Sequence, residues 1–401
     1  MLPQDRWLLP EGVEEIFPDE AEALEQLARR LLDRFSVWGY RRVMPPVVDF
    51  LDSLLIGTAH ELDLQTLKLA DPASGRLIGL RADMTPQVAR IDARTAAPGV
   101  PTRLCYLGAV FRAQSEHLDS CRNPLQIGAE LYGVEGTAAA IEVIRLLLES
   151  LTVAGIEGIH LDLGHVGVYR AIARQAGLSS RQEARVFDTL QRKDATDLDQ
   201  FLLELGIART EAAMLRALLD LNGSPDLLAW ARELLRPGGD EIRIALDELE
   251  VIAQGLARRF PGIPLNLDLA ELRGYHYHTG VVFAAFVPGL GREIARGGRY
   301  DDIGRVFGCA RPAVGFSADL RTLVRLAVPQ VLPGGSANPV YAPLEDDPAL
   351  DELIGSLRDR GVTVIQSLGD EPAISARSDG HRTIRRQDGQ WRLVEPAPTT
   401  N

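Results

Sequence analysis

Leu125-Gln126-Ile127-Gly128-Ala129-Glu130-Leu131-Tyr132-Gly133 is the stretch on which the fold turns. It reads as a strand, preceded by another at Leu104 to Phe111, with a polar loop, Arg112 to Asn123, between them. Gln126 and Glu130 stand four residues apart, so on a strand their side chains point to the same face. Three further pieces lie far downstream: Arg273-Gly274-Tyr275-His276-Tyr277-His278, Gly297-Gly298-Arg299-Tyr300-Asp301, and Gly315-Phe316-Ser317-Ala318-Asp319-Leu320-Arg321-Thr322-Leu323.

Upstream, Asp19 to Phe35 reads as an amphipathic helix, with Leu24, Leu27, Ala28, Leu31, Leu32 and Phe35 on one face. Gly39 is its expected left-handed cap. Tyr40 to Val48 follows as an extended segment in which Pro45 and Pro46 forbid central-strand pairing. Leu64 to Leu69 and Arg76 to Leu80 read as a hairpin around Asp71 to Gly75. It leads to Arg81-Ala82-Asp83-Met84-Thr85, where Thr85 and Pro86 are the expected N-cap and first residue of a helix. Ser179 to about Leu235 is read as a helical insertion. Strands are expected again near Leu265 to Leu269 and Gly280 to Val287, and a closing helix at Leu320 to Ala327.

Residues 327–339 have the composition of a linker. Beyond it the pattern gives a strand near Val340, a helix capped by Asp347-Pro348, a strand at Val362 to Ile365, and a hairpin around Asp388-Gly389. The expected division is a core over 1–326, a linker over 327–339 and a small domain over 340–401.

With 401 residues, 46% hydrophobic and 25% charged, the chain has the composition of an ordinary globular protein. The formal charge of −13 argues against nucleic acid as a partner, because affinity for a polyanion comes largely from Lys and Arg displacing counterions. The amino terminus lacks a basic-then-apolar leader and no apolar run is long enough to span a bilayer, so a cytoplasmic protein without a membrane partner is expected. Cys105, Cys121 and Cys309 lack the spacing of a zinc site or a disulfide framework. His276 and His278 are an alternative pair of metal ligands, but no third ligand falls at a recognisable spacing. No metal and no cofactor are expected.

Taken together, the quoted pieces resemble the catalytic core of histidyl-tRNA synthetase, a class II aminoacyl-tRNA synthetase. The resemblance implies an α+β fold: an antiparallel sheet flanked by helices, with the helical insertion and a small C-terminal α/β domain. Free histidine presents an ammonium, a carboxylate and an imidazole, so its site needs an acid, a base and polar partners for the ring. By resemblance Asp83, with Thr85 beside it, stands near the ammonium, and Gln126 bridges ammonium and carboxylate. Glu130 accepts from the imidazole, Arg273 holds the carboxylate, and Tyr300 is a pocket tyrosine. Arg112, Tyr277 and His278 complete the implied histidine-binding set; at His278 the synthetases have a tyrosine.

The ATP side departs from the synthetase pattern. Arg112 remains, but Gln114 stands where the family has a glutamate, and Thr322 where it has an arginine on the γ-phosphate. Arg321 is one residue away and turned by about 100° on a helix. Losing a positioned cation from a transferring phosphoryl group typically costs several kcal/mol of transition-state stabilisation. No independent catalysis is therefore expected. This combination resembles the regulatory subunits of ATP phosphoribosyltransferase. That resemblance implies a short-form catalytic subunit as partner, a dimer of this chain built on the first helix and strand, histidine as feedback effector, and no catalytic residue of its own. The alternatives are a histidine-tRNA ligase with a degenerate ATP site and an amino-acid-binding scaffold with another partner.

Overall fold

Alternation along Leu125–Tyr132 gives the main sheet two unlike faces. Ile127, Ala129 and Leu131 enter the large apolar core, while Gln126, Gly128, Glu130 and Tyr132 turn to the other side. Tyr132 joins Leu104, Tyr106, Met84, Val88 and Tyr300 in a second, smaller cluster there. A one-residue slip in register would put the carboxylate into the oily core, so the apolar set pins the polar one.

The computed structural model describes residues 8–55, 60–114, 121–270, 277–308, 310–327, 339–368 and 382–395. The sheet runs, in spatial order, Arg41–Arg42, Thr102–Ala109, Leu125–Tyr132, Ala313–Asp319, Ala295–Arg299, Val281–Phe286, His160–His165, Leu265–Asp268 and Asn222–Gly223. The pairings from Thr102–Ala109 through His160–His165 are antiparallel. Arg41–Arg42 and Leu265–Asp268 join in parallel. The segment after Arg42 leaves the sheet before Pro45 and Pro46, as two missing donors require.

The helix Pro18–Val37 covers the core face through Leu24, Leu27, Leu31 and Phe35, with the Phe35 ring edge-on to Phe316 at 6.0 Å. Gly39 ends it at φ +84°, and the Tyr40 amide closes back on the Phe35 carbonyl at 3.0 Å. The helical region begins at Ser180–Gln191, as expected, but runs past 235 into a 21-residue helix, Gly239–Arg259. Ile242, Leu246, Leu249, Ile252 and Leu256 of that helix lie in the main core, which makes it a wall of the core as well as part of the insertion. Thr137–Val153, His160–His165 and Val166–Gln175 have no counterpart in the sequence reading.

Two local expectations change. The hairpin is Leu67–Ala70 with Leu77–Leu80, and Val48–Phe50 adds a third strand to it. The following helix is Thr85–Thr95 with Met84 at the N-cap, and Thr85 gives its hydroxyl to neighbouring polar side chains instead of to the helix end.

The chain divides into two compact units at Leu332 and Pro333. The second has a four-stranded sheet in the order Val364–Gln366, Val340–Ala342, Arg382–Gln387, Gln390–Val394. The helix Pro348–Asp359 packs on it through Leu350, Ile354 and Leu357. Asp347 caps that helix by accepting the Ala349 amide at 2.9 Å, and Asp388 and Gly389 both take positive φ in the hairpin turn.

Gly39→Ala is expected to lower the unfolding free energy by about 1 kcal/mol, because the turn needs a left-handed residue and no neighbour compensates. Urea unfolding checks this, and an unchanged midpoint contradicts it.

Candidate functional site

On the face of the sheet away from the main core, Glu130 is almost fully buried. Its Oε1 accepts from the Tyr106 hydroxyl at 2.9 Å and lies 3.2 Å from Thr85 Oγ1. Its Oε2 accepts from Tyr300. The Thr85 hydroxyl also lies 3.1 Å from Asp83 Oδ1 and 3.3 Å from the Tyr106 oxygen, so its single proton has three claimants. Burial pushes the Glu130 carboxyl up to about 8, with the Asp83 charge adding to the shift and the three hydroxyls opposing it. The Tyr106, Tyr132, Tyr277 and Tyr300 phenols are all pushed up, first by burial and then by the Glu130 charge.

Two glycines make the room. Gly315 pairs with Glu130 across the sheet, and a Cβ there would run into the carboxylate. Gly128 pairs with Tyr106, and its Cβ would meet the phenol oxygen at 2.5 Å. Neither position can carry a side chain without displacing the cluster.

Gln126 ties the strand to the loop 81–85. Its amide donates to Asp83 Oδ1 at 2.8 Å and its oxygen accepts the Met84 amide at 2.9 Å. Asp83 Oδ1 also accepts the Thr85 amide at 3.0 Å, while Oδ2 has no hydrogen-bond partner among the described residues. The Tyr277 ring lies 5.0 Å from the Tyr300 ring and 5.4 Å from that of His278. The Tyr277 hydroxyl is buried and without a hydrogen-bond partner among the described residues. Leaving such a group unmet in a buried place costs about 1–3 kcal/mol, which a polar ligand would recover.

Six of the nine residues expected from the sequence thus form one connected group: Asp83, Thr85, Gln126, Glu130, Tyr277 and Tyr300. His278 adjoins it through Tyr277. Arg112 and Gln126 both line a neighbouring cleft. Arg273 and His276 fall outside the described residues. Among the described residues no group of three or more His, Cys, Asp or Glu is placed to hold a metal ion. The sequence reading missed Tyr106 and Tyr132. Strand phase was the available signal, since Leu104, Tyr106 and Gly108 share a face and pair with Glu130, Gly128 and Gln126.

Thr322 lines the cleft and donates to Asp319 Oδ2 at 2.9 Å. Arg321 turns away: its guanidinium is buried against Glu14 at 2.9 Å and Glu20 at 3.3 Å. The arginine next in sequence is therefore spent on holding the N-terminal segment. Cys105 and Cys121 are buried free thiols whose ionisation burial pushes up. Among the described residues no helix is long and apolar enough to cross a membrane.

Residues 12–323 match the histidyl-tRNA synthetase family model, and residues 337–394 match that of the ATP phosphoribosyltransferase subunit HisZ C-terminal domain. An ATP phosphoribosyltransferase regulatory subunit of Methylococcus capsulatus is 55% identical over 387 residues, 96% of this chain and 95% of that one. One from Alkalilimnicola ehrlichii is 51% identical over 98% of both chains. A solved structure from Bacillus halodurans, described as an ATP phosphoribosyltransferase regulatory subunit/histidyl-tRNA synthetase, superposes with a TM-score of 0.81 at 25% identity, covering 93% of this chain and 96% of that one. The class II synthetase-like α+β fold is thereby established, and with identity of this order along nearly the whole length, the chain belongs to the family of ATP phosphoribosyltransferase regulatory subunits, which acts in histidine biosynthesis without catalysis of its own.

Proposed function

We propose that this chain is the histidine sensor of its complex. It joins a short-form catalytic ATP phosphoribosyltransferase subunit, and free histidine held at the buried carboxylate cluster carries feedback inhibition to that partner. The observation that carries the reading is a pair of polar atoms without a hydrogen-bond partner among the described residues, Asp83 Oδ2 and the buried Tyr277 hydroxyl, in the group around the buried Glu130. An ammonium satisfies the first and an imidazole nitrogen the second. Gln126, already oriented by Met84 and Asp83, adjoins the first. Arg112, and by resemblance Arg273, supply the charge for the carboxylate.

Holding the ligand requires the loop 81–85 and the strand 125–132 to keep one arrangement. A ligand that favours one arrangement shifts its population by its differential affinity alone. Coupling of this kind is commonly about 1–3 kcal/mol and reciprocal, so substrates of the partner should weaken histidine binding. Self-association as a dimer fits the apolar side chains that Val37, Met44, Val48, Leu69 and Leu77 leave exposed.

Calorimetric titration of the chain with histidine should give saturable binding, lost with Glu130→Ala and with Asp83→Ala and weakened roughly tenfold or more by Tyr277→Phe. Absence of binding both to the chain alone and to its complex with the catalytic subunit would refute the sensor reading. The charge state of Glu130 supplies a second check. The unfolded chain releases this proton near the ordinary glutamate value of 4.5, whereas the fold keeps it to about 8. The folded state thus binds more protons across that window, so this stability is fully present below 4.5 and lost as the pH rises towards 8. Glu130→Gln should remove that loss. The difference in unfolding free energy between wild type and variant should then change by on the order of a few kcal/mol between pH 5 and pH 8. Met44→Asp combined with Leu69→Asp should turn a dimer into a monomer in light scattering.

A further inference from the structure

Besides Arg112, the cleft beside the carboxylate cluster holds two cations that the histidine reading does not use, Arg292 and Arg296. Arg292 reaches the Thr322 hydroxyl at 3.3 Å, has a buried Nε without a hydrogen-bond partner, and has no carboxylate in ion-pair contact among the described residues. Arg296 enters from the strand Ala295–Arg299 opposite Ser317, with its charge partly met by Glu293 at 3.2 Å. Asp319 is occupied, accepting the Leu125 and Arg321 amides at 3.2 Å each and the Thr322 hydroxyl at 2.9 Å. The cation balance of the cleft therefore rests on Arg292, with Arg296 and Arg112 flanking it.

A half-buried guanidinium with an unmet donor is costly to maintain and favours an anion with several acceptor oxygens. The Ser317 hydroxyl adds a donor on the same wall, while Thr322 accepts from Arg292 and gives its own proton to Asp319. Among the described residues the lining includes no aromatic ring, with Cys121, Pro124, Ile294, Ala295 and Ala318 as its apolar members, so these offer no platform for stacking a base. The geometry points to a second ligand site in this chain: a cleft for a small anion bearing one or two phosphoryl groups, held by Arg292 and Arg296 and indifferent to any attached base. Thr322, on the helix Leu320–Leu326, is then the floor of an anion site whose main cation comes from the segment just before the strand Ala295–Arg299. This inference does not depend on histidine being the ligand next door.

Inorganic pyrophosphate is the probe, titrated calorimetrically into the full chain at low ionic strength, with orthophosphate and ATP as comparison ligands. Saturable 1:1 binding is expected, weakened roughly tenfold or more by Arg292→Met and by Arg296→Met and falling with added sodium chloride. Arg236→Met, a change at an exposed arginine on a 3-10 turn away from the cleft, should leave it intact. Arg292→Lys guards against misfolding, since it keeps the charge and should lose less than the Met variant. Histidine binding should survive in Arg292→Met, which separates this inference from the sensor reading. Absence of saturable binding overturns the site, as does binding that Arg292→Met leaves unchanged or that Arg236→Met weakens equally. ATP binding a hundredfold tighter than pyrophosphate would overturn the indifference to the base.

Discussion

Burying the Glu130 carboxyl is the constraint around which this side of the molecule is built. A carboxylate out of water demands donors, and the structure supplies them from three separate parts of the chain: Thr85 on the loop, Tyr106 on the neighbouring strand, and Tyr300 some 170 residues downstream. Each donor must arrive at the right height on the sheet, so the pairing of Leu125–Tyr132 with both neighbours is tightly specified. Gly128 and Gly315 follow from the same demand, because the space that their missing side chains leave is filled by the cluster. The carboxyl still keeps its proton to about 8, which shows that burial outweighs the donors.

The chain has the shape of a synthetase site with its charges redistributed. Arg321, beside the position where a synthetase holds phosphate, is turned onto Glu14 and Glu20 and locks the N-terminal segment over the closing helix. Arg321 is buried while Glu14 stays exposed and Glu20 half-buried, so the cost of desolvating the guanidinium offsets much of the attraction and the contact is a device of arrangement more than of stability. Arg292 then brings a cation back towards Thr322 from the segment before the strand Ala295–Arg299. Charge in this cleft has moved, and with it the chemistry on offer: an anion can be held, while the in-line geometry of phosphoryl transfer has lost its clamp.

Much of this was legible from residues alone. Period-four spacing of Gln126 and Glu130 placed both on one face, and the helical stripe from Leu24 to Phe35 with Gly39 behind it located the helix that covers the core. The turn chemistry of Asp388-Gly389 and the cap at Asp347 held for the same reason: their effects are local, set by φ/ψ preferences and by hydrogen bonds two residues away. Thr85 was misread as a cap because the same hydroxyl that suits a helix end also suits a carboxylate, and the choice depends on what lies 3 Å away. The helix Gly239–Arg259 lay past the expected end of the insertion, and its apolar face enters the one main core into which the insertion also packs.

By itself, then, the sequence determined the elements with strong periodicity and the shared face of Gln126 and Glu130, because side-chain phase on a strand and local turn preferences need no knowledge of distant partners; the likeness to synthetases, carried by the quoted motifs, pointed to the other residues of the candidate cluster. Only the tertiary structure decided that Tyr106 and Tyr132 join the carboxylate cluster, that Arg321 faces Glu14 and Glu20, and that Arg292 serves Thr322. Those choices are made between residues tens to hundreds of positions apart, where hydrogen-bond reach and desolvation depend on sheet register, which no local pattern encodes.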